Sequence, residues 1–239
     1  GAGPAGLEAA RVAAERGHTV EIIEALTHIG GQFRLAGQQP RRAQILDLMD
    51  WYERQFVKLG VNLRLNTFVE ADEIVAHAAD SVIIATGSLP DESGFQRWLP
   101  SEPRLPGIET GGVWSPEQVI RREARLGDAV VIYDEGGNWR GVGTAWHLAE
   151  QGKQVTIVTP DPYVGKEITR TAADGPARRA LGKLGVRMLT EHCLTAWHGN
   201  GATIVDHNSG ESTYLAADSL VLATTNIAAD DLALALAEA

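Results

Sequence analysis

An α/β fold of two doubly wound lobes is what the sequence predicts, and three observations predict it. Short apolar runs alternate with helical stretches along most of the chain. Those runs are continuous rather than alternating, as expected of strands buried on both faces of a parallel sheet. The pattern also occurs twice. Gly17-His18-Thr19-Val20-Glu21-Ile22-Ile23-Glu24 returns in outline as Gly152-Lys153-Gln154-Val155-Thr156-Ile157-Val158-Thr159. Lys58-Leu59-Gly60-Val61 is echoed by Lys183-Leu184-Gly185-Val186. Asp80-Ser81-Val82-Ile83-Ile84-Ala85-Thr86-Gly87 is echoed by Asp218-Ser219-Leu220-Val221-Leu222-Ala223-Thr224-Thr225. One echo is chance; three in the same order are a duplicated unit.

The elements follow in order. Residues 4–16 carry Leu7, Ala10, Val12 and Ala14 in a helix-forming run closed by Gly17. Val20–Ile23 reads as a short buried strand. Residues 42–59 place Ile45, Met49, Tyr52, Phe56 and Leu59 on one helical face, with Gly60 as the C-terminal cap. The aromatic residues there read as core. Val82–Ala85 is a second buried strand, and residues 1–87 form the first lobe. Residues 88–127 hold five of the ten prolines and read as a crossover with little regular structure. The second lobe spans 128–225, and 226–239 begins a return towards the first.

Composition sets the limits. With 44% hydrophobic and 22% charged residues the chain is of ordinary globular type. A net charge of −10 argues against nucleic acid and anionic membrane as partners. No apolar run approaches the roughly 18 residues of a membrane span. The single cysteine, Cys193, excludes disulfides and cysteine-ligated clusters within these residues and fits a cytoplasmic setting. Seven histidines show no metal-ligand spacing. No GxSxG nucleophile turn occurs. Glu191, His192 and Cys193 are consecutive, so on a strand His192 and Cys193 face opposite ways, and the thiol reads as structural.

The chemistry sits at the first residues. Gly1-Ala2-Gly3-Pro4-Ala5-Gly6 is a GxGxxG that opens a helix, and a strand follows. The first Gly allows a tight turn, the second lets backbone approach a pyrophosphate, and the third lets the helix pack on the sheet. The helix start offers unpaired N–H groups and a positive dipole end. Glu24 ends the next strand, 18 residues after Gly6. A carboxylate there accepts hydrogen bonds from an adenosine ribose and repels a 2′-phosphate. No strand precedes Gly1, and the run Leu232–Leu236 reads as an interrupted helix. The chain is therefore expected to be a segment of a longer polypeptide.

GAGPAGLEAA, Glu24, Gly30-Gly31-Gln32 and Ala85-Thr86-Gly87 together resemble the two-dinucleotide-binding flavoproteins. The resemblance is strongest to the C-terminal half of the trimethylamine dehydrogenase, histamine dehydrogenase and 2,4-dienoyl-CoA reductase group. It implies a glutathione-reductase-like pair of Rossmann lobes, the first holding FAD or ADP. It places Gly1, Gly3, Pro4, Ala5, Gly6, Glu24, Ala25, Gly31, Gln32, Thr86 and Gly87 at the cofactor, with Gly31 and Gln32 towards its pyrophosphate or ribityl part. It implies a flavin-dependent oxidoreductase parent of amine-dehydrogenase or enoate-reductase type. An FMN-bearing barrel and an iron–sulfur cluster would lie upstream, with the substrate acting there, and oligomerisation is left open. This segment alone is then inactive, and no catalytic residue is assigned in it.

Mapping the repeat sets Gly136, Asn138 and Gly141 against Gly1, Gly3 and Gly6. Asn138 stands where a side chain obstructs, Asp134 and Glu135 precede the turn, and Thr159 replaces Glu24. Binding of NAD(P)H by this lobe is therefore not expected. Two other readings stay open: a non-catalytic nucleotide-binding module, and an NAD(P)H-dependent flavin reductase.

Overall fold

The structure is a computed structural model, and it describes residues 1–238. The chain divides into two compact units, Gly1–Leu89 with Ile227–Ala239, and Pro90–Asn226.

In the first unit, helix α1 (Pro4–Glu15) leads to strand β1 (Glu21–Ile23). Helices α2 (Gly31–Gly37) and α3 (Ile45–Leu59) follow, then strand β2 (Asn62–Arg64), helix α4 (Ala71–Ala76) and strand β3 (Ser88–Pro90). β1 and β2 pair in parallel. The face read from the sequence of α3 is the one that packs: Met49, Tyr52 and Phe56 are buried with Leu7, Ala10, Ile22 and Ile29. Gly60 ends α3 at φ +68°, a conformation that costs glycine nothing.

One strand expected here does not form. Val82–Ala85 joins no ladder, and Val82 and Ile83 are exposed. Its repeat partner in the second unit bonds to the strand that feeds the glycine turn. In the first unit Val82–Ala85 has no such ladder among the described residues; the Ala85 backbone runs beside Gly1 instead.

The second unit contains strand β4 (Val113–Trp114), helix α5 (Pro116–Ile120), strand β5 (Ala129–Asp134), helix α6 (Trp139–Glu150) and strand β6 (Gln154–Val158). Helix α7 (Asp174–Lys183) and strands β7 (Arg187–Leu189), β8 (His192–Trp197), β9 (Gly201–Asp206), β10 (Ser212–Ala216) and β11 (Ser219–Ala223) complete it. Five strands form a sheet in the order β4-β11-β5-β6-β7, parallel throughout. Every residue of β11, and all but the first of β5, is buried, the continuous burial that their apolar sequences predict. One face packs α5, α6 and α7 around Val142, Leu148, Ile157 and Leu181. The other packs an antiparallel meander, β10-β9-β8, around Tyr133, Leu194, Trp197 and Ile204.

The proline-rich stretch is more ordered than its composition predicts. It supplies the edge strand β4 and helix α5, and it buries Leu105, Ile108, Val119 and Ile120. Its prolines punctuate elements instead of preventing them: Pro116 opens α5, where a capping box joins Ser115 and Gln118. After β11 come strand β12 (Asn226–Ala228), paired with β3, and helix α8 (Asp231–Glu238). Among the described residues no helix is long and apolar enough to cross a membrane.

Candidate dinucleotide-binding site

The three loop glycines do three different things. A Cβ on Gly1 would lie 2.4 Å from the Ala85 carbonyl oxygen, so this residue lets two backbones run side by side. A Cβ on Gly6 would lie 1.9 Å from the Gly1 oxygen, so only glycine lets the first turn of α1 sit on the loop. A Cβ on Gly3 would meet nothing within 4 Å among the described residues. Gly3 is the N-cap of α1 in extended conformation, with no side chain capping the helix. The space over it opens onto the first-turn N–H groups. Pro4 occupies the first helical position, where no N–H is needed, and Ala5 is exposed beside it.

A second glycine pair closes on this loop. Gly30, at φ +113°, donates its N–H to the Ala2 carbonyl at 2.8 Å. Gly31, at φ +46°, approaches so closely that a Cβ would lie 3.0 Å from the Gly3 Cα. Gln32 follows, exposed on the first turn of α2. The result is a cradle, a close meeting of the two glycine segments with open space over Gly3, where a diphosphate can lie against amide groups.

Glu24 faces this cradle. Its Oε2 accepts the Ala2 N–H at 2.6 Å and its Oε1 accepts the Leu26 N–H at 2.8 Å. A carboxylate has about four acceptor sites, so both oxygens retain capacity for a ribose diol. The acid therefore has a second role that its position in the sequence did not reveal: it ties the end of β1 to the glycine loop. Ala25 is exposed next to it.

Gly1, Gly3, Pro4, Ala5, Gly6, Glu24 and Gly31 thus gather around one cradle. Thr86 and Gly87 also bond to the segment after β12. The Thr86 hydroxyl donates to the Ala229 carbonyl at 2.5 Å, and the Gly87 carbonyl accepts the Ala229 N–H at 3.0 Å. The backbone at Ala85–Thr86 flanks Gly1. Ala2 and Gly30 were not singled out as site residues, yet both brace the loop. The GG pair was the visible signal for Gly30; buried Ala2 gave none.

The second unit repeats the framework with other side chains. α6 is 12 residues long, as α1 is, and Asn138 caps it where Gly3 caps α1. Asp134 is fully buried, and its Oδ1 accepts the Gly137 N–H at 3.0 Å. Burial, reinforced by Asp161, pushes its carboxyl up to about 7, against the opposing pull of the Gly137 amide and Arg140. Among the described residues no cluster of His, Cys, Asp or Glu could hold a metal ion.

A tandem of α/β units, each running from a glycine turn into a helix and on to a parallel strand, defines a protein of the double dinucleotide-binding class. The chain belongs to the pyridine nucleotide-disulphide oxidoreductase family, whose model matches residues 1–238. It is 40% identical over 207 residues, 87% of this chain, to a Rhizobium meliloti (strain 1021) protein named "Probable N-methylproline demethylase". Its fold is that of the histamine dehydrogenase of Rhizobium sp. 4-9, with a TM-score of 0.94 over 100% of this chain at 26% identity. It also matches a 2-naphthoyl-CoA reductase complex, with a TM-score of 0.87 over 99% of the chain at 33% identity. The chain spans 29%, 37% and 34% of these three proteins respectively.

Proposed function

We propose that the first unit binds the adenosine diphosphate moiety of FAD, or ADP itself, within a flavin-dependent oxidoreductase. The observation that carries this reading is the open space over Gly3 with the Glu24 carboxylate beside it. Gly3, Ala5, Gly6 and Gly31 would hold the diphosphate through backbone, and Glu24 would accept the ribose hydroxyls. Gln32 would lie towards the part of the cofactor beyond the diphosphate, and Ala25 along the adenosine. A bound flavin supplies hydride and electron transfer; the protein supplies position and electrostatics.

Relatives about three times the length of this chain support a larger parent. Their names favour demethylation or dehydrogenation of amines, with reduction of an aryl-CoA such as 2-naphthoyl-CoA as the second type. We place the substrate, an FMN-bearing barrel and an iron–sulfur cluster in the remainder of that polypeptide, and the whole in the cytoplasm.

The test is to denature the purified protein and identify the released nucleotide by chromatography and visible absorption. Released FAD or ADP supports the reading. ADP without flavin assigns this unit a non-redox nucleotide role. Release of neither, with no ADP binding on titration, overturns it.

A further inference from the structure

The two glycine turns share a framework and differ in what fills it. Over Gly3 there is open space. At the matching cap position stands the Asn138 side chain, and one residue earlier, over Gly137 (φ +57°, the counterpart of Ala2), a Cβ would meet Asp161 Oδ2 at 3.0 Å and the backbone and Cβ of Lys166 at 3.4 Å. The segment carrying those residues is fastened down, because the Glu167 N–H donates to the Gly137 carbonyl at 2.9 Å. Two of the turn's donors are taken as well. Asp134 accepts the Gly137 N–H, and the Asn138 side chain accepts the Arg140 N–H at 2.8 Å. At Gly141 a Cβ would lie 2.3 Å from the Asp134 carboxyl carbon, so that carboxyl is packed beneath the first turn of α6.

The charges repeat the message. Arg140 grips Glu117 through Nε at 2.7 Å and Nη2 at 3.0 Å, and donates Nη1 to the Thr224 carbonyl. Lys166 is held by Asp161 at 2.8 Å. Arg97 lies against Glu135, whose Oε1 also accepts the Trp98 N–H at 3.1 Å. Arg97, Arg140 and Lys166 each already have an acid, so none of their charges is left over to offset a diphosphate. At the end of β6, where Glu24 stands in the first unit, Thr159 is buried and its hydroxyl accepts the Asp161 N–H.

We infer that the second unit is closed to pyridine nucleotides because its own Asp134, Asn138 and Asp161 occupy the donors and the space that a dinucleotide's diphosphate would take. The framework of a nucleotide site is kept as scaffold, with protein oxygens in the place of phosphate oxygens. This holds whether or not the first unit takes adenosine diphosphate.

The experiment titrates NADH and NADPH separately into the protein saturated with ADP, so that the first unit's cradle is out of the measurement. Binding is read by calorimetry, and its location by hydrogen–deuterium exchange over residues 134–141. The expected result is no saturable heat up to roughly 1 mM nucleotide, a range that still detects binding of only about −4 kcal/mol, and unchanged exchange. Saturable heat with new protection over 134–141 overturns the inference. A double variant, Asn138→Gly with Asp161→Asn, is expected to gain NADH binding with protection there, its fold checked by melting. If it melts like the parent and still binds nothing, the closure does not lie in these residues and the assignment fails. Loss of ADP-dependent protection over residues 2–6 would instead count against the proposed function of the first unit alone.

Discussion

Replacing Glu24 by glutamine tests the adenosine site most directly. The carboxylate now accepts two backbone N–H groups, at 2.6 and 2.8 Å, and the proposed ribose hydroxyls use its remaining lone pairs. Glutamine has one acceptor oxygen. Whichever way the amide turns, its NH2 meets either the Ala2 or the Leu26 N–H, donor against donor. One ribose hydroxyl also loses its charged acceptor. Hydrogen bonds to charged groups contribute about 1.5–3 kcal/mol each, so ADP affinity should fall roughly 10- to 150-fold. Glu24→Ala should weaken binding by at least as much. Because the same carboxylate braces the loop, calorimetric titration must be paired with thermal melting of the unliganded protein. The glutamine variant should also discriminate less against 2′-phosphorylated ADP, since the repelling charge is gone. Unchanged ADP affinity in a folded Glu24→Gln protein would refute the assignment of this residue to the ribose.

The remaining predictions address the glycines, the buried acid and the thiol. Gly3→Ala should melt like the parent and lose nucleotide affinity, because its Cβ enters space that only a ligand would fill; Gly6→Ala should be destabilised or insoluble, because its Cβ would sit 1.9 Å from a backbone oxygen. A melting loss in Gly3→Ala equal to that in Gly6→Ala would contradict this division of labour. Asp134 has its carboxyl raised by burial from the ordinary 3.8 to about 7, so the unfolded chain releases its proton first as pH rises. Its contribution to stability is therefore fully present below about pH 4 and is lost as pH rises to about 7, by something on the order of 4 kcal/mol. Asp134→Asn should flatten that slope in denaturant titrations run from pH 4 to 8, and an unchanged slope would remove Asp134 as its source. Cys193 is buried, burial raises its thiol pKa, and its Sγ lies 3.2 Å from His207 Nε2. A thiol reagent should label it at pH 8 only after unfolding, and fast labelling of the native protein would show the side chain to be accessible.

What the sequence disclosed, and what it withheld, divides along the range of the interactions involved. The buried face of α3 was legible because its Met49, Tyr52 and Phe56 repeat at helical spacing, and Gly60 marked its end. The glycine loop was legible from its spacing at a helix start, although only Gly1 and Gly6 are sterically required within the chain and Gly3 is not. Glu24 was placed by distance along the chain, but its bonds to Ala2 and Leu26 depend on how β1 meets the loop, which no spacing encodes. Val82–Ala85 has the composition of a strand and no partner, since pairing belongs to the sheet and not to the segment. Prolines in residues 88–127 indicated breaks and concealed that the pieces between them, from Leu105 to Ile120, pack into the second unit's core. His192 stood beside Cys193 in sequence, yet its Nδ1 lies against the Thr190 carbonyl, and His207 meets the thiol from the far end of the next strand.

The two turns show how such a framework can outlast a ligand. Strand, turn and helix are specified mainly by apolar burial and by glycine at the tight positions, and these are intact in both units. Ligand affinity depends on a handful of unpaired amides and on the sign of nearby charge. A phosphate withdrawn from such a turn would leave buried N–H groups unsatisfied, at about 1–3 kcal/mol each. Asp134 satisfies the buried Gly137 N–H and Asn138 the more exposed Arg140 N–H from within the chain, so the second unit keeps its fold with no nucleotide to complete it. In the first unit Glu24 takes the Ala2 N–H, but no side chain caps the helix at Gly3. Saturating ADP should therefore raise the stability of the first unit, while NADH should leave the second unchanged. Proteolysis or hydrogen exchange resolved by unit separates the two responses, and stabilisation of the second unit by NADH would mean that its turn is not filled from within.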